Sequence, residues 1–183
     1  MTGFVTRMIR AAQLDVALYE EVEADPHALG QATAVVVLSS LAAGIGSHGG
    51  AAPGGMLLMT LATLLGWYVW AYLTYLVGAR WLPGPQTDAD WGQLLRTIGF
   101  SSAPGLVQVL GVMLPEGGGK DVLFLAIALW MLVAMVIAVR QALDYDSTLR
   151  AVGVCAIGWV IQLVISGVVF GLLGAPPPAP VSS

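Results

Sequence analysis

Long apolar runs dominate the chain, and short polar connectors separate them. Five runs follow one another, at about 28–46, 56–78, 94–114, 122–139 and 151–173. A membrane-spanning helix needs about 20 consecutive apolar residues, whereas the strands of a membrane barrel read as alternating segments of about ten. Because lipid admits only helices and closed barrels, the pattern predicts an all-α membrane protein, a bundle of five transmembrane helices over residues 28–174.

The third run carries the most polar residues, among them Ser101 and Gln108, and it contains Pro104. Pro104 has no N–H for the carbonyl of Phe100, so a kink is predicted there. Before this run, Thr87 and Asp90 have the spacing of a capping box that opens a helix.

The segment 1–27 precedes the first span, and its apolar residues recur at helical spacing from Gly3 to Val22. This pattern predicts a cytoplasmic amphipathic N-terminal helix, which lies at the headgroup level or packs on the cytoplasmic ends of the bundle. Asp25 is placed to cap the helix that follows. The tail, 175–183, is rich in proline, and we expect it to lack regular structure.

Composition and charge agree with the membrane assignment and fix an orientation. Hydrophobic residues make up 57% of the chain and charged residues 10%, against about 25% charged in a soluble domain. If all five runs span, the connectors on one side carry Arg7, Arg10, Arg80, Arg96, Arg140 and Arg150, and those on the other carry only Lys120. The positive-inside rule then predicts a multi-pass protein of the cytoplasmic (inner) membrane, with its N-terminus in the cytoplasm and its C-terminus outside.

Polar side chains inside the spans form the candidate intramembrane site. One face of the third span and one face of the fifth carry these residues: Thr97, Ser101, Pro104, Gly105, Gln108, Gln162 and Ser166. A broken polar span is typical of a transporter substrate site. The alternative is that these groups hydrogen-bond neighbouring helices and hold the bundle together.

Two further sets are candidates for contacts with other molecules or helices. Glycines of the fifth span are candidates for close helix packing: Gly153, Gly167 and Gly171. Acidic residues of the cytoplasmic connectors are candidates for a partner surface: Glu20, Glu21, Glu23, Asp25, Asp144 and Asp146. In the second span we expect the face with Tyr68, Tyr72 and Tyr75 to look inward, because a buried phenol needs a partner.

The chain carries none of the motifs that indicate catalysis. No charged residue lies deep inside a span, the two histidines lie at span ends, and there is no metalloprotease, P-loop or nucleophile-elbow motif. We therefore expect no enzyme activity, no cofactor and no metal site. The net charge of −4 gives no reason to expect nucleic acid as a partner.

Three segments carry a family resemblance: Leu14–Asp25, Trp91–Gly105 and Arg140–Tyr145. On these the chain resembles the bacterial members of the Yip1 domain family, and the resemblance covers nearly the whole chain. It implies a cytoplasmic N-terminal segment followed by five spans. Eukaryotic members are associated with vesicle traffic and Rab-type GTPases, but their Asp-Leu-Tyr-Gly-Pro segment has no counterpart here.

Two functions follow as hypotheses. The first is a non-enzymatic scaffold or membrane-organising, trafficking-like component, whose partners are the lipid bilayer and a second copy or another membrane protein. The alternative is a transporter or channel for a small solute or a lipid, which uses the broken third span and the polar face of the fifth.

Overall fold

The computed structural model describes residues 3–48 and 53–173, and the surroundings of side chains in 3–47 and 54–164. Within these ranges the regular structure is entirely helical. Seven α-helices follow in order: α1 Phe4–Ala12, α2 Val16–Ala24, α3 Ala28–His48, α4 Pro53–Tyr75, α5 Trp91–Phe100, α6 Gly118–Ala142 and α7 Thr148–Leu173. A π-helical segment, Leu76–Trp81, extends α4, and a 3₁₀ helix, Ala103–Met113, follows α5. The predicted tail lies outside the described residues.

Three helices are long and apolar enough to cross a membrane. They cover Ala28–Ser47, Gly54–Trp81 and Gly118–Ala142, in the places of the first, second and fourth predicted spans. The fifth predicted span lies in α7, whose fully described part, Thr148–Val164, forms a shorter apolar helix. The all-helical membrane class is therefore confirmed.

The third predicted span consists of two short helices in place of one. α5 ends at Phe100, and the 3₁₀ helix begins at Ala103, one residue before Pro104. Because proline cannot donate to the preceding turn, the backbone tightens there, and the amide of Gly105 donates to the carbonyl of Ser102 at 2.9 Å. The interruption falls where the sequence predicted a kink.

The start of α5 differs from the predicted capping box. Asp90 is the capping residue, and its partner is Gln93: the Gln93 amide donates to Asp90 Oδ1 at 2.9 Å, and Gln93 Oε1 accepts from the Asp90 amide. Thr87 instead accepts from the Gly84 amide and donates to the carbonyl of Leu143 at 2.7 Å. Thr87 therefore ties two connectors together.

α5 and the 3₁₀ helix form the centre of the bundle, between α3 and α6, with α4 against α5. Small residues permit this close packing. A Cβ added to Gly99 would lie 2.8 Å from the Ala32 Cβ, and one added to Gly105 would overlap the Ser39 hydroxyl. Residues 94–101 are all buried as a result.

The N-terminal segment forms two helices, and the prediction of one continuous helix is wrong. The chain reverses at Gln13–Asp15, where Leu14 has a φ of +62° and the Asp15 side chain caps α2 by accepting from the Ala17 amide. The two helices run antiparallel, with the Tyr19 hydroxyl donating to the carbonyl of Ala11. We call α1, the turn and α2 the N-terminal hairpin (residues 4–24).

The prediction for the aromatic faces of α4 is also wrong. Trp67 and Thr74 are buried, whereas Tyr68 and Tyr72 are 37% and 47% exposed. The two tyrosines pack edge-on against Trp91, with ring centroids 6.1 and 5.9 Å apart. Their phenols therefore lie on the outside of the bundle, where the hydroxyl needs no internal partner.

Candidate functional site

Two of the predicted polar residues are satisfied within their own helix. The Thr97 hydroxyl donates to the carbonyl of Gln93 at 3.0 Å, and the Ser101 hydroxyl donates to that of Ile98 at 2.7 Å. Both side chains are buried. Such bonds remove the cost of an unpaired hydroxyl in an apolar interior, so these two residues support packing of the central helix.

Gln108 lies at a cavity of about 510 Å³ between α3, α4, the 3₁₀ helix and α6. The other polar side chains at its wall are hydroxyls: Ser39, Ser40, Ser47, Thr63 and Ser102. Methionines, Phe124 and other apolar residues complete the lining, and the described lining residues include no charged one. This chemistry suits an uncharged polar group or a lipid.

Of the candidate intramembrane residues on the third and fifth spans, only Gln108 lines this cavity among those whose surroundings the structure describes. Ser102 takes the place of Ser101 at the cavity wall, and Gln162 lies on α7, which does not line this cavity. The side chain of Ser166 lies outside the described residues. Pro104 and Gly105 are buried next to the cavity, against α3.

The close-packing glycines differ from those the sequence singled out. A Cβ on Gly153 would meet no atom of the described residues within 4 Å, so its packing role remains a prediction. The surroundings of Gly167 and Gly171 lie outside the described residues. In α7 it is Gly158 that faces a neighbour, with the Trp70 ring 3.1 Å from where its Cβ would be.

An ion-pair network holds the N-terminal hairpin together and ties it to α3. The buried Arg7 pairs with Glu21 and with Asp25, each at 3.0 Å, and donates to Gln31 Oε1 at 3.1 Å. Arg10 pairs with Glu21 at 2.6 Å. The hydrogen bond from Arg7 lowers the pKa of Asp25, which also caps the approach to α3 by accepting from the His27 amide, as predicted.

The hairpin turn lies deep along α6. Trp130 Nε1 donates to the carbonyl of Ala12 at 2.8 Å. Trp130 is near the middle of the apolar run 122–139, ten residues before Arg140 and therefore about 15 Å from it along the helix. The hairpin thus packs along the side of the bundle, and Val5 and Ile9, which are 60% and 52% exposed, face outward.

The predicted acidic surface is divided by these contacts. Glu21 and Asp25 are engaged by arginine, and Glu20 accepts from the amide of Gln141 at 2.9 Å. Asp144 and Asp146 remain exposed. Whether these residues bind a partner stays a prediction.

Glu23 is the titratable group of this surface whose pKa is most perturbed. Burial raises the pKa of Glu23 to about 7, and the carboxylate of Asp144 adds to the shift while Arg96 opposes it. The Arg96 guanidinium donates to the carbonyls of Val22 and Glu23 and so closes the C-terminal end of α2.

The arginines gather at one end of the bundle. Arg7 reaches Gln31 in the first turn of α3, Arg96 reaches the end of α2, and Arg140 donates to the carbonyl of Tyr145. Tyr145 in turn donates to the carbonyls of Gly78 and Leu82, near Arg80, and its ring lies 5.5 Å from the Arg150 guanidinium. Lys120 lies at the opposite end, where it donates to the carbonyl of Ser47 and pairs with Glu116.

An apolar groove between α6 and α7 was not predicted. Its volume is about 780 Å³, and its lining includes Val133, Val152, Cys155 and Trp159. In the sequence these residues look like any other apolar positions of a span. They line a groove only because α6 and α7 are separated there, and that separation depends on packing.

The comparison with protein-family models shows which family the chain resembles. The sequence model of the Yip1 domain matches residues 16–170, from the start of α2 almost to the end of α7. No curated protein and no solved structure matches the chain.

Proposed function

Because the chain belongs to the Yip1 domain family, we propose that it is a non-enzymatic, multi-pass protein of the cytoplasmic membrane that organises the lipid around it. The Yip1 match and the long apolar helices make it a membrane protein. The proposal adds five spans, a cytoplasmic N-terminus and a membrane-shaping role for the N-terminal hairpin.

The distribution of charge supports the proposed topology. Five arginines, Arg7, Arg80, Arg96, Arg140 and Arg150, lie at one end of the bundle and Lys120 at the other, while Arg10 is paired within the N-terminal hairpin. α5 and the 3₁₀ helix together run from the arginine end to the level of Gly46, near the end of α3, so the pair serves as one broken span. With α7 as the fifth span, the positive-inside rule places the arginine end in the cytoplasm.

The hydrogen bond between Trp130 and Ala12 carries the membrane-organising proposal. It fixes the hairpin turn about 15 Å along α6 from Arg140, a distance close to the half-thickness of the hydrocarbon core. The outward side chains Val5, Ile9 and Val16 are apolar. In the proposed topology the hairpin therefore enters the cytoplasmic leaflet only and widens the protein there. A body that is wider in one leaflet favours curved membrane.

Ion pairing of Arg7 and Arg10 lowers the free-energy cost of placing the hairpin within the leaflet. Arg7 and Arg10 are matched by Asp15, Glu21 and Asp25 at 2.6–3.0 Å. Charged residues at membrane depth are tolerated when they pair with one another. The network also holds α1 against α2, so the hairpin enters as one unit.

Reconstitution into vesicles of mixed diameter tests the proposal. The full chain should concentrate in the small vesicles, where curvature is high. The variant Val5→Glu with Ile9→Glu should lose that preference, because two carboxylates cannot enter the leaflet. Gln86→Glu, which adds charge at the exposed connector, is the control and should behave as the wild type. An equal distribution of the wild-type chain over all diameters would contradict the membrane-organising role.

The cavity at Gln108 favours a second candidate, transport of a small uncharged solute or a lipid. It supplies one amide and several hydroxyls inside the bundle. The test is the rate at which a small uncharged solute or a labelled lipid crosses the membrane of vesicles that contain the reconstituted protein. Gln108→Leu should reduce flux if transport occurs, while Gln86→Leu on the connector should not. Unchanged flux in Gln108→Leu would remove this candidate.

A further inference from the structure

The groove between α6 and α7 has the length of one lipid leaflet. Its α7 side runs from Thr148 to Trp159. Eleven residues of helix rise about 16 Å, and half of the roughly 30 Å hydrocarbon core is about 15 Å. Val133 and Ile137 line the facing side on α6. An apolar groove of this length, with a volume of about 780 Å³, accommodates a single acyl chain.

An arginine stands at the end of the groove that lies with the other arginines. Arg140 follows Ile137 by three residues and Val133 by seven, so the three share one face of α6. Its Nη1 donates to the hydroxyl of Thr148, the last groove residue at that end, at 3.2 Å. The guanidinium therefore lies directly beside the groove mouth.

The charge of Arg140 has no carboxylate partner in the part of the chain that the structure describes. Its other bonds go to neutral oxygens: Nε to the carbonyl of Tyr145 at 3.1 Å and Nη2 to that of Asp146 at 3.3 Å. The described ion pairs all involve Arg7, Arg10 or Lys120. The three hydrogen bonds hold the guanidinium in place. Because a guanidinium has five N–H donors, two remain for a further acceptor.

We propose that this groove binds an anionic phospholipid of the cytoplasmic leaflet. The phosphate lies on Arg140, and one acyl chain lies in the groove over Cys155. Charge complementarity selects the lipid, because the Arg140 guanidinium, held by three hydrogen bonds to neutral oxygens, faces the leaflet that carries the anionic headgroups. The start of α7 adds its partial positive charge at the same end. This site rests on the proposed topology, but it is separate from the N-terminal hairpin and does not depend on the hairpin's membrane-shaping role.

Photolabelling of the full chain in lipid nanodiscs tests the site. The probes are phosphatidylglycerol and phosphatidylcholine, each with a photoreactive diazirine on one acyl chain, and the labelled residues are mapped by mass spectrometry. Wild-type protein should be labelled between Val152 and Trp159, and about tenfold more by phosphatidylglycerol, as one charge-assisted contact would give. Arg140→Gln should reduce phosphatidylglycerol labelling to the phosphatidylcholine level. Arg150→Gln, an exposed arginine outside the groove, should not.

A second pair of variants leaves Arg140 and its connector intact. Ala156→Trp fills the groove and should abolish labelling of the 152–159 segment by both lipids. Val160→Trp places the same ring on an exposed position outside the groove lining and should leave labelling unchanged. These variants test the groove even if Arg140→Gln is poorly folded.

Three results would overturn the proposal. The first is equal labelling of the wild type by the two lipids, and the second is an equal loss in Arg140→Gln and Arg150→Gln. The third is competition by inorganic phosphate at the same concentration as the lipid, since Arg140 would then be a site for a free anion. A failure of this kind leaves the vesicle-sorting result for the hairpin unaffected, so the two proposals are separable.

Discussion

The indole N–H of Trp130 donates to the carbonyl oxygen of Ala12 at 2.8 Å, across 118 residues of sequence. The bond joins the end of α1 to the middle of α6 and sets how deep the N-terminal hairpin lies. It also satisfies a helix-terminal carbonyl that has no partner of its own within α1. The membrane-organising role proposed above depends on this relationship.

Trp130→Phe should loosen the hairpin and leave the bundle intact. The substitution keeps the aromatic ring but leaves the Ala12 carbonyl unpaired at a cost of about 1–3 kcal/mol. Amide hydrogen exchange in residues 4–24 should accelerate, while exchange within α3 and α6 stays slow. Trp159→Phe, whose ring packs on Trp70, is the matched control. Unchanged exchange in the hairpin of Trp130→Phe would show that the bond does not hold it.

Gly105→Ala should destabilise the bundle, whereas Gly153→Ala should not. A Cβ on Gly105 overlaps the Ser39 hydroxyl and lies 3.1 Å from the sulfur of Met131, while a Cβ on Gly153 meets no described atom. Overpacking costs about 1–3 kcal/mol. The measurement is the thermal midpoint of each variant in detergent. If Gly153→Ala is the more damaging of the two, the packing surface is the one on the fifth span that the sequence predicted.

Glu23→Gln should flatten the pH dependence of stability. The pKa of Glu23 is about 7 in the folded protein and 4.5 in the unfolded chain. Between these values the folded state binds the proton more tightly, so this group's contribution to stability is full below pH 4.5 and is lost as pH rises to 7. The variant should therefore exceed the wild type in thermal midpoint above pH 7. Asp88→Asn, an exposed carboxylate that is not among the charges acting on Glu23, is the control. If Glu23→Gln changes the thermal midpoint by the same amount at all pH values, Glu23 is not the source of the pH dependence.

The five-span orientation predicts which connectors a membrane-impermeant maleimide reaches in intact cells. In a Cys155→Ser background, Gln86→Cys should be protected and Gly118→Cys should be labelled. Both positions are exposed, and they lie at the arginine and lysine ends of the bundle. Permeabilised cells, in which both should react, are the control. Labelling of position 86 in intact cells would place this connector outside the cell and contradict the proposed orientation.

Hydropathy was sufficient to locate the long helices and the broken span. α3, α4 and α6 lie where the apolar runs are continuous, and the break before Pro104 follows from a missing amide proton. These features are local, since each depends on residues within a few turns. Membership of the Yip1 family, suggested by three short segments, is confirmed by the match over residues 16–170.

The features that depend on packing were not predictable in the same way. The hairpin turn uses Leu14 in the left-handed region without glycine or proline to mark it. The tyrosines of α4 face outward, where Tyr68 and Tyr72 pack on Trp91 of the next helix, α5. The groove beside Arg140 depends on how far apart α6 and α7 lie, and neither helix alone encodes that distance.

The depth of the hairpin turn in the bilayer tests the membrane-organising role most directly. A nitroxide attached at Gln13→Cys in the Cys155→Ser background reports depth through its relative exposure to oxygen and to a water-soluble nickel complex. The connector variant Gln86→Cys serves as the surface reference. Position 13 should be accessible to oxygen and shielded from nickel, at a depth well below the headgroups. Nickel accessibility at position 13 equal to that at position 86 would place the turn in water and contradict insertion of the hairpin into the leaflet.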